Sequence, residues 1–335
     1  IAFSGGFMSE SPRISRRGFL KIAGGAAVAA GAGLPRIAEA GEPRGFATLI
    51  DISRCDGCRG YERPLCVSAC RDLYLSRVPE PVQPIPELFP RGKIEDWSGQ
   101  KHVSDRLTPY NRIYVQKASI SENGETRELF IPRRCMHCDH PACATLCPFS
   151  ANQKYGNGAV VIDPDLCFGG AKCRDLCPWS IPQRQSGIGI YLHILPTLAG
   201  NGVLFKCDLC YERITKNERP ACVDACPREV MTFGSRQDIF SEAERRAAET
   251  GAFIYGKTEN GGTSTLYLSP VPFDRLNDSI QKGPGRPHLD PVKPRVAETE
   301  AFGKALLLSP LAGAAAAWLG VAVAASGKDG KREGD

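Results

Sequence analysis

The sequence predicts a loop-rich α+β fold assembled from four copies of one cysteine-bearing unit. Three observations predict it. All fifteen cysteines fall into four local runs. A short β-prone segment leads into each run, at residues 47–52, 129–131, 159–162 and 203–205, and short helices are expected after the cysteine loops. Gly and Pro are abundant, at 35 and 26 of 335 residues, and long apolar runs are few, which suggests a core that is partly inorganic.

The elements follow in order. Residues 1–40 carry targeting features: Ser15-Arg16-Arg17-Gly18-Phe19-Leu20-Lys21 reads as a twin-arginine export signal. A weakly apolar stretch follows over 22–34, and Ala38-Glu39-Ala40 fits the small-residue cleavage rule, leaving Gly41 as the mature start. Met8 is a candidate initiator. The body is expected over 41–269, interrupted by an insertion at 71–134. Pro79, Pro81, Pro84, Pro86 and Pro90 make the first part of that insertion extended and surface-lying. Its second part, 112–118 and 128–131 around Asn123-Gly124, reads as a β-hairpin. A Pro-rich stretch over 270–304 is either a plain linker or a segment that wraps a partner or reaches the membrane.

Residues 305–325 are 21 uncharged residues, long enough to cross a bilayer as a helix. Lys328, Lys331 and Arg332 in the tail, 326–335, agree with the positive-inside tendency if the body is exported. The stretch is rich in Ala and interrupted by Pro310, so an Ala-rich helix packed on a partner is the alternative. The net charge of +5 is modest, and no basic run interleaves with aromatics, so nucleic-acid binding has little support.

The runs carry the chemistry. They are Cys55, Cys58, Cys66, Cys70; Cys135, Cys138, Cys143, Cys147; Cys167, Cys173, Cys177; and Cys207, Cys210, Cys222, Cys226. Three end in Cys-x-x-x-Cys-Pro, at Pro148, Pro178 and Pro227, where a fixed φ sets the chain's exit. Bacterial ferredoxins share this shape: three close cysteines serve one iron–sulfur cluster and a fourth reaches the other. Cys-x-x-Cys places two thiolates on one tight loop whose N–H groups can donate to sulfur. An odd cysteine count in such dense pairs makes a poor disulfide framework, despite the export signal. The third run has Gly170 where a further cysteine would fall, leaving one iron corner without a thiolate. That favours a [3Fe–4S] cluster, the alternative being a [4Fe–4S] cluster capped by water or Asp175. Arg71 stands where Pro follows the other runs, and 59–65 reads as a surface loop within the first run.

Cys135-Met136-His137-Cys138-Asp139-His140-Pro141-Ala142-Cys143 and Cys207-Asp208-Leu209-Cys210-Tyr211-Glu212-Arg213, with four runs in this order, carry a resemblance over residues 47–233. The chain resembles the four-cluster iron–sulfur subunits of molybdopterin oxidoreductases, of the dimethyl sulfoxide reductase, nitrate reductase and formate dehydrogenase types. It is also similar to the iron–sulfur subunit of some membrane-bound nickel–iron hydrogenases. The resemblance implies two interlocked ferredoxin-like dicluster modules, pairing run one with run four and run two with run three. Carried over, one [4Fe–4S] cluster takes Cys55, Cys58, Cys66 and Cys226, and a second takes Cys207, Cys210, Cys222 and Cys70. A third takes Cys135, Cys138, Cys143 and Cys177, and the [3Fe–4S] cluster takes Cys167, Cys173 and Cys147. The implied function is electron transfer between a catalytic subunit and an integral membrane quinone-reactive or cytochrome subunit, on the periplasmic side of the inner membrane.

Other residues weigh less. His137 and His140 lie inside a ligand loop, where roles beside the ligands or at the surface outweigh ligation. Trp179 either shields a cluster or simply packs. Lys172, Arg174, Lys206 and Arg213 lie near cluster loops, as tuning charges or as solvated counter-charges. No Ser/His/Asp set, phosphate loop or dinucleotide fingerprint stands out, and Gly24-Gly25 and Gly261-Gly262 lack strand–helix context. The rival readings are a zinc-stabilised interaction protein, which fifteen cysteines do not divide to serve, and a self-contained enzyme using the three-iron cluster.

Overall fold

In the computed structural model of the protein, residues 45–87, 93–122, 124–198 and 200–294 are described. The signal region 1–40, the apolar stretch 305–325 and the tail 326–335 lie outside them. Among the described residues no helix is long and apolar enough to cross a membrane.

In chain order the strands are β1 (Phe46–Asp51), β2 (Tyr114–Glu122), β3 (Glu125–Arg133), β4 (Asn152–Lys154), β5 (Val160–Ile162), β6 (Gln183–Gln185), β7 (Val203–Phe205), β8 (Met231–Ser235), β9 (Phe253–Tyr255) and β10 (Thr265–Ser269). The helices are α1 (Leu65–Tyr74), α2 (Ala142–Thr145), α3 (Lys172–Leu176), α4 (Tyr191–Ile194), α5 (Tyr211–Ile214), α6 (Ala221–Asp224), α7 (Arg236–Thr250) and α8 (Phe273–Ser279). The main sheet has the order β8-β1-β10-β9, with β1 parallel to β10 and the other pairs antiparallel.

Strand alternation positions the cysteines. On β1 and β10, Ala47, Leu49, Leu266 and Leu268 turn to one face and bury against Ile239 and Ala243 of α7. Alternate residues, Ile50 and Tyr267, turn to the opposite face and join a core shared with ten of the cysteines. One sheet thus separates a conventional apolar layer from a thiol-rich one. Helix α7 is well terminated: the Ser235 hydroxyl accepts from Asp238 N–H, and Gly251 closes the helix with φ of 68°. Truncating Ile239 to Ala would cost about 2–5 kcal/mol by the usual cavity cost.

The remaining strands form antiparallel hairpins, β2–β3, β4–β5 and β6–β7. The first is the hairpin expected in the insertion, but its strands run longer, from Tyr114 to Glu122 and from Glu125 to Arg133. The β-prone segments expected ahead of the runs are β1, part of β3, β5 and β7. The helices differ from expectation in part: α5 follows the Cys207–Cys210 loop directly, but others contain the later cysteines. Cys66 and Cys70 lie on α1, Cys143 on α2, Cys173 on α3 and Cys222 on α6.

Two segments outside the runs prove to be structural. Glu95 accepts hydrogen bonds from Arg174 and Arg184, at 2.7–2.8 Å, and so ties the 71–134 insertion to the third run. Arg71, in the position of the missing proline, is buried and donates to the carbonyl oxygens of Lys101, Val103 and Tyr110. The Pro-rich stretch expected as a linker folds onto the body as far as residue 294. There α8 packs on β2, Leu289 is fully buried, and His288 Nε2 lies 2.9 Å from the Pro178 carbonyl oxygen. Its apolar residues Val271, Leu276, Ile280 and Leu289 supply the reason, since all four enter the thiol-rich core.

Candidate iron–sulfur centres

Each run begins with the same local device. The residue two positions after the first cysteine points its N–H back at that sulfur. His137 N–H reaches Cys135 Sγ at 3.5 Å, and Leu209 N–H reaches Cys207 Sγ at 3.4 Å. Gly57 serves Cys55 and Gly169 serves Cys167 in the same way. Such turns require left-handed backbone, and Gly57, His137, Gly169 and Leu209 have φ of 68°, 49°, 72° and 62°. Glycine is needed at position 57 for a second reason, since an added Cβ would lie 2.6 Å from the Phe130 ring.

The first and fourth runs match further. Asp56 accepts from Cys58 N–H and Asp208 from Cys210 N–H, both at 2.9 Å, and both second cysteines have positive φ. Two stretches far apart in sequence thus share one Asx-turn geometry. Asp208 also accepts from the Tyr74 hydroxyl at 2.6 Å and pairs with Arg112 at 3.3 Å, tying α1 to the fourth run.

The structure brings the runs together in pairs. Helix α1 packs on α6, and α2 packs on α3. Cys55, Cys58, Cys66 and Cys226 line one small cavity. Cys70 lies near Cys207, Cys222 and Cys210. Cys138 lies near Cys177, Cys135 and Cys143. Cys167, Cys147 and Cys173 gather in a separate apolar core with Val203, Leu204 and Phe205. Gly170 lies open in the same run: an added Cβ would meet no atom within 4 Å beyond its chain neighbours. Asp175, the alternative fourth ligand there, is exposed and pairs with Lys172 at 3.8 Å.

The donor set suits a highly charged metal centre. All fifteen cysteines are free thiols. Burial pushes Cys55 and Cys222 up to about 11, and Cys177 and Cys210 up to about 12. Cys66, Cys70 and Cys138 are driven well above the ordinary thiol range, first by burial and then by the neighbouring thiolates. Left alone, such groups stay protonated; metal ligation is what removes their protons. The residues therefore fit iron–sulfur clusters, which would be held by these thiols and by the N–H groups aimed at them.

Of the basic residues that the sequence singles out, Lys172 is exposed, Arg174 pairs with Glu95, and Arg213 pairs with Glu218 and Asp224. Lys206 alone of these four is buried among cysteines. Arg134 is equally buried and escapes a reading by spacing, although its place directly before Cys135 mirrors that of Lys206 before Cys207. His137 is buried with Nδ1 accepting from Val160 N–H at 3.0 Å, and burial holds its pKa well below the usual range, so it is neutral. His140 is exposed.

Paired sets of buried, N–H-bonded thiols on this scaffold define an iron–sulfur electron-transfer protein. Two 4Fe-4S dicluster domain families match, over residues 54–151 and 126–236. The hydrogenase-2 operon protein HybA of Escherichia coli O157:H7 is 30% identical over 305 aligned residues, covering 79% of this chain and 83% of that protein. A subunit of the anaerobic dimethyl sulfoxide reductase of Escherichia coli K12 is 30% identical over 194 residues, covering 58% of this chain and 75% of that one. The nitrate-inducible formate dehydrogenase iron–sulfur subunit of the same strain is 26% identical over 229 residues, at 66% and 67% coverage. The chain belongs to the family of ferredoxin-like iron–sulfur subunits of oxidoreductase complexes. Zinc gives way to iron–sulfur as its cofactor class.

Proposed function

We propose that this chain carries three [4Fe–4S] clusters and one [3Fe–4S] cluster and relays electrons between a catalytic subunit and a membrane subunit. The observation that carries the proposal is the pairwise packing of cysteine-bearing helices, α1 on α6 and α2 on α3. It supports the cross-run ligand sets Cys55/Cys58/Cys66/Cys226, Cys207/Cys210/Cys222/Cys70 and Cys135/Cys138/Cys143/Cys177. Three thiols and Gly170 support the three-iron assignment for Cys147, Cys167 and Cys173.

When bound, each cluster supplies a one-electron redox centre. The chain's own residues hold it, donate N–H bonds to the ligating sulfurs, and exclude water with Tyr267, Trp179 and Phe205, all nearly fully buried. The broad match to the hydrogenase-2 operon protein supports a nickel–iron hydrogenase subunit as the catalytic partner, with a molybdopterin subunit as the second reading. The membrane partner is a quinone-reactive or cytochrome subunit. The sequence features of residues 1–40 and 305–325 support a folded body on the periplasmic side, exported by the twin-arginine route and anchored at the inner membrane.

Metal analysis of anaerobically purified protein tests this. The expected yield is about 15 iron and about 16 labile sulfide per chain, with a three-iron EPR signal in the oxidised state. A colourless protein lacking iron would overturn the reading.

A further inference from the structure

Two buried cations cross between the two pairs of runs. Arg134 directly precedes Cys135, in the second run, yet its Nη1 donates to Cys207 Sγ of the fourth run at 3.6 Å. Its neighbouring thiols are Cys207 and Cys222. Lys206 directly precedes Cys207, in the fourth run, yet its Nζ donates to the carbonyl oxygen of Val160, on the strand that leads into the third run. Val160 N–H in turn donates to His137 Nδ1, inside the Cys135–Cys138 loop, at 3.0 Å. The thiols whose charge acts on Lys206 include Cys135 and Cys143 of the second run, besides Cys207, and its own charge also reaches Cys173 of the third run. Arg134 is 1% exposed and Lys206 is 5% exposed.

Among the described residues neither cation has a carboxylate partner in its hydrogen bonds. Lys206 Nζ donates to the carbonyl oxygens of Val160 and Cys207. Arg134 donates to one sulfur, and its Nε and Nη2 are buried with no acceptor among the described residues. A buried guanidinium with two idle nitrogens is expensive unless negative charge lies beside it. The groups that supply most of that charge are thiolates of the two ligand sets, with Asp208 a weaker contributor at Lys206.

We propose that Arg134 and Lys206 are a reciprocal pair of electrostatic positioning residues, each lent by one dicluster module to the cluster held by the other. The proposal rests on the ligand sets assigned above. Arg134 raises the reduction potential of the cluster on Cys207, Cys210, Cys222 and Cys70. Lys206 raises that of the cluster on Cys135, Cys138, Cys143 and Cys177. An electron entering a cluster adds negative charge, so a fixed cation nearby in a low dielectric favours the reduced form. Each charge sits where the two modules meet, so the two centres there are raised together.

The test is redox-poised EPR of the full-length, iron-loaded protein. Cys70→Ser and Cys143→Ser variants identify which signal belongs to which cluster. Arg134→Gln is expected to lower the potential of the Cys207-set cluster, by an amount that makes its reduction at least about ten-fold less favourable, or about 59 mV for a one-electron couple. The cluster beside Cys135 should move less, although the mutation is its immediate sequence neighbour. Lys206→Met should lower the Cys135-set cluster, and Arg134→Lys and Lys206→Arg should restore native values. An unshifted Cys207-set potential in Arg134→Gln, or a larger shift at the Cys135 set, overturns the proposal. If Arg134→Gln loses iron, Arg134→Lys decides: iron and potential regained with the charge supports it, and iron lost there too overturns it. Native protein without iron would instead sink the cluster assignment itself, so the two failures are distinct.

Discussion

Trp179 Nε1 donates to the Tyr255 hydroxyl oxygen at 2.8 Å, and that hydroxyl in turn donates to the Asp290 carbonyl oxygen at 2.8 Å. One phenol thus ties the exit of the third run, through Trp179, to β9 and to the chain beyond α8. Tyr255→Phe leaves the buried indole N–H without an acceptor, at a cost of about 1–3 kcal/mol. The iron-loaded variant should melt several degrees below the native protein by circular dichroism. Identical melting would show that the hydroxyl contributes nothing.

Glu95 gives a prediction with a pH sign. Burial alone would raise its pKa, but hydrogen bonds and charge from Arg174 and Arg184 hold it below the usual carboxylate range. A depressed folded pKa contributes stability that is fully present above the unfolded pKa and is lost as pH falls through the folded one. Glu95→Gln should destabilise by about 2 kcal/mol, the worth of charge-assisted bonds. That gap should stay constant from pH 8 to pH 5 and narrow only below the ordinary glutamate range. Denaturant unfolding across that range checks it; a gap that widens on acidification contradicts the pairing.

Gly170 offers a gain of ligand. Its backbone is free of positive φ and its Cβ direction is open, so a cysteine Cβ is accommodated there. The oxidised variant should lose the three-iron EPR signal and gain one iron per chain. A persistent three-iron signal would remove Gly170 from the account.

The two ends make separate predictions. Arg16→Lys with Arg17→Lys should leave the precursor in the cytoplasm, as fractionation would show. Ending the chain before residue 305 should release the body from membranes prepared without its partner subunits. Normal export of the first variant, or membrane retention of the second under those conditions, would count against the signal and the anchor in turn.

Much of this was legible in the sequence because thiol ligation is local. The turn that aims Leu209 N–H at Cys207 needs only the residues between two cysteines, so spacing exposes it. The hairpin around residues 114–133 was legible for the same reason, through its β-prone flanks. What spacing could not carry was long-range. Nothing near Arg134 announces that its guanidinium ends beside a cysteine more than seventy positions away. Nor does the polar, Pro-rich composition of 270–294 reveal that Leu276 and Leu289 belong to the core. In that stretch a few well-spaced apolar residues outweigh a disorder-like composition, since burial depends on where they fall rather than on how many there are.

The parallel pairing of β1 with β10 has a consequence for biogenesis. Among the described residues, the strand that leads into the first cysteines finds its neighbours in β8 and β10, near their far end. Its sheet cannot assemble until the ribosome has passed residue 269. Closure of that half therefore waits on distant sequence, and polypeptides that end before β10 should accumulate as apoprotein.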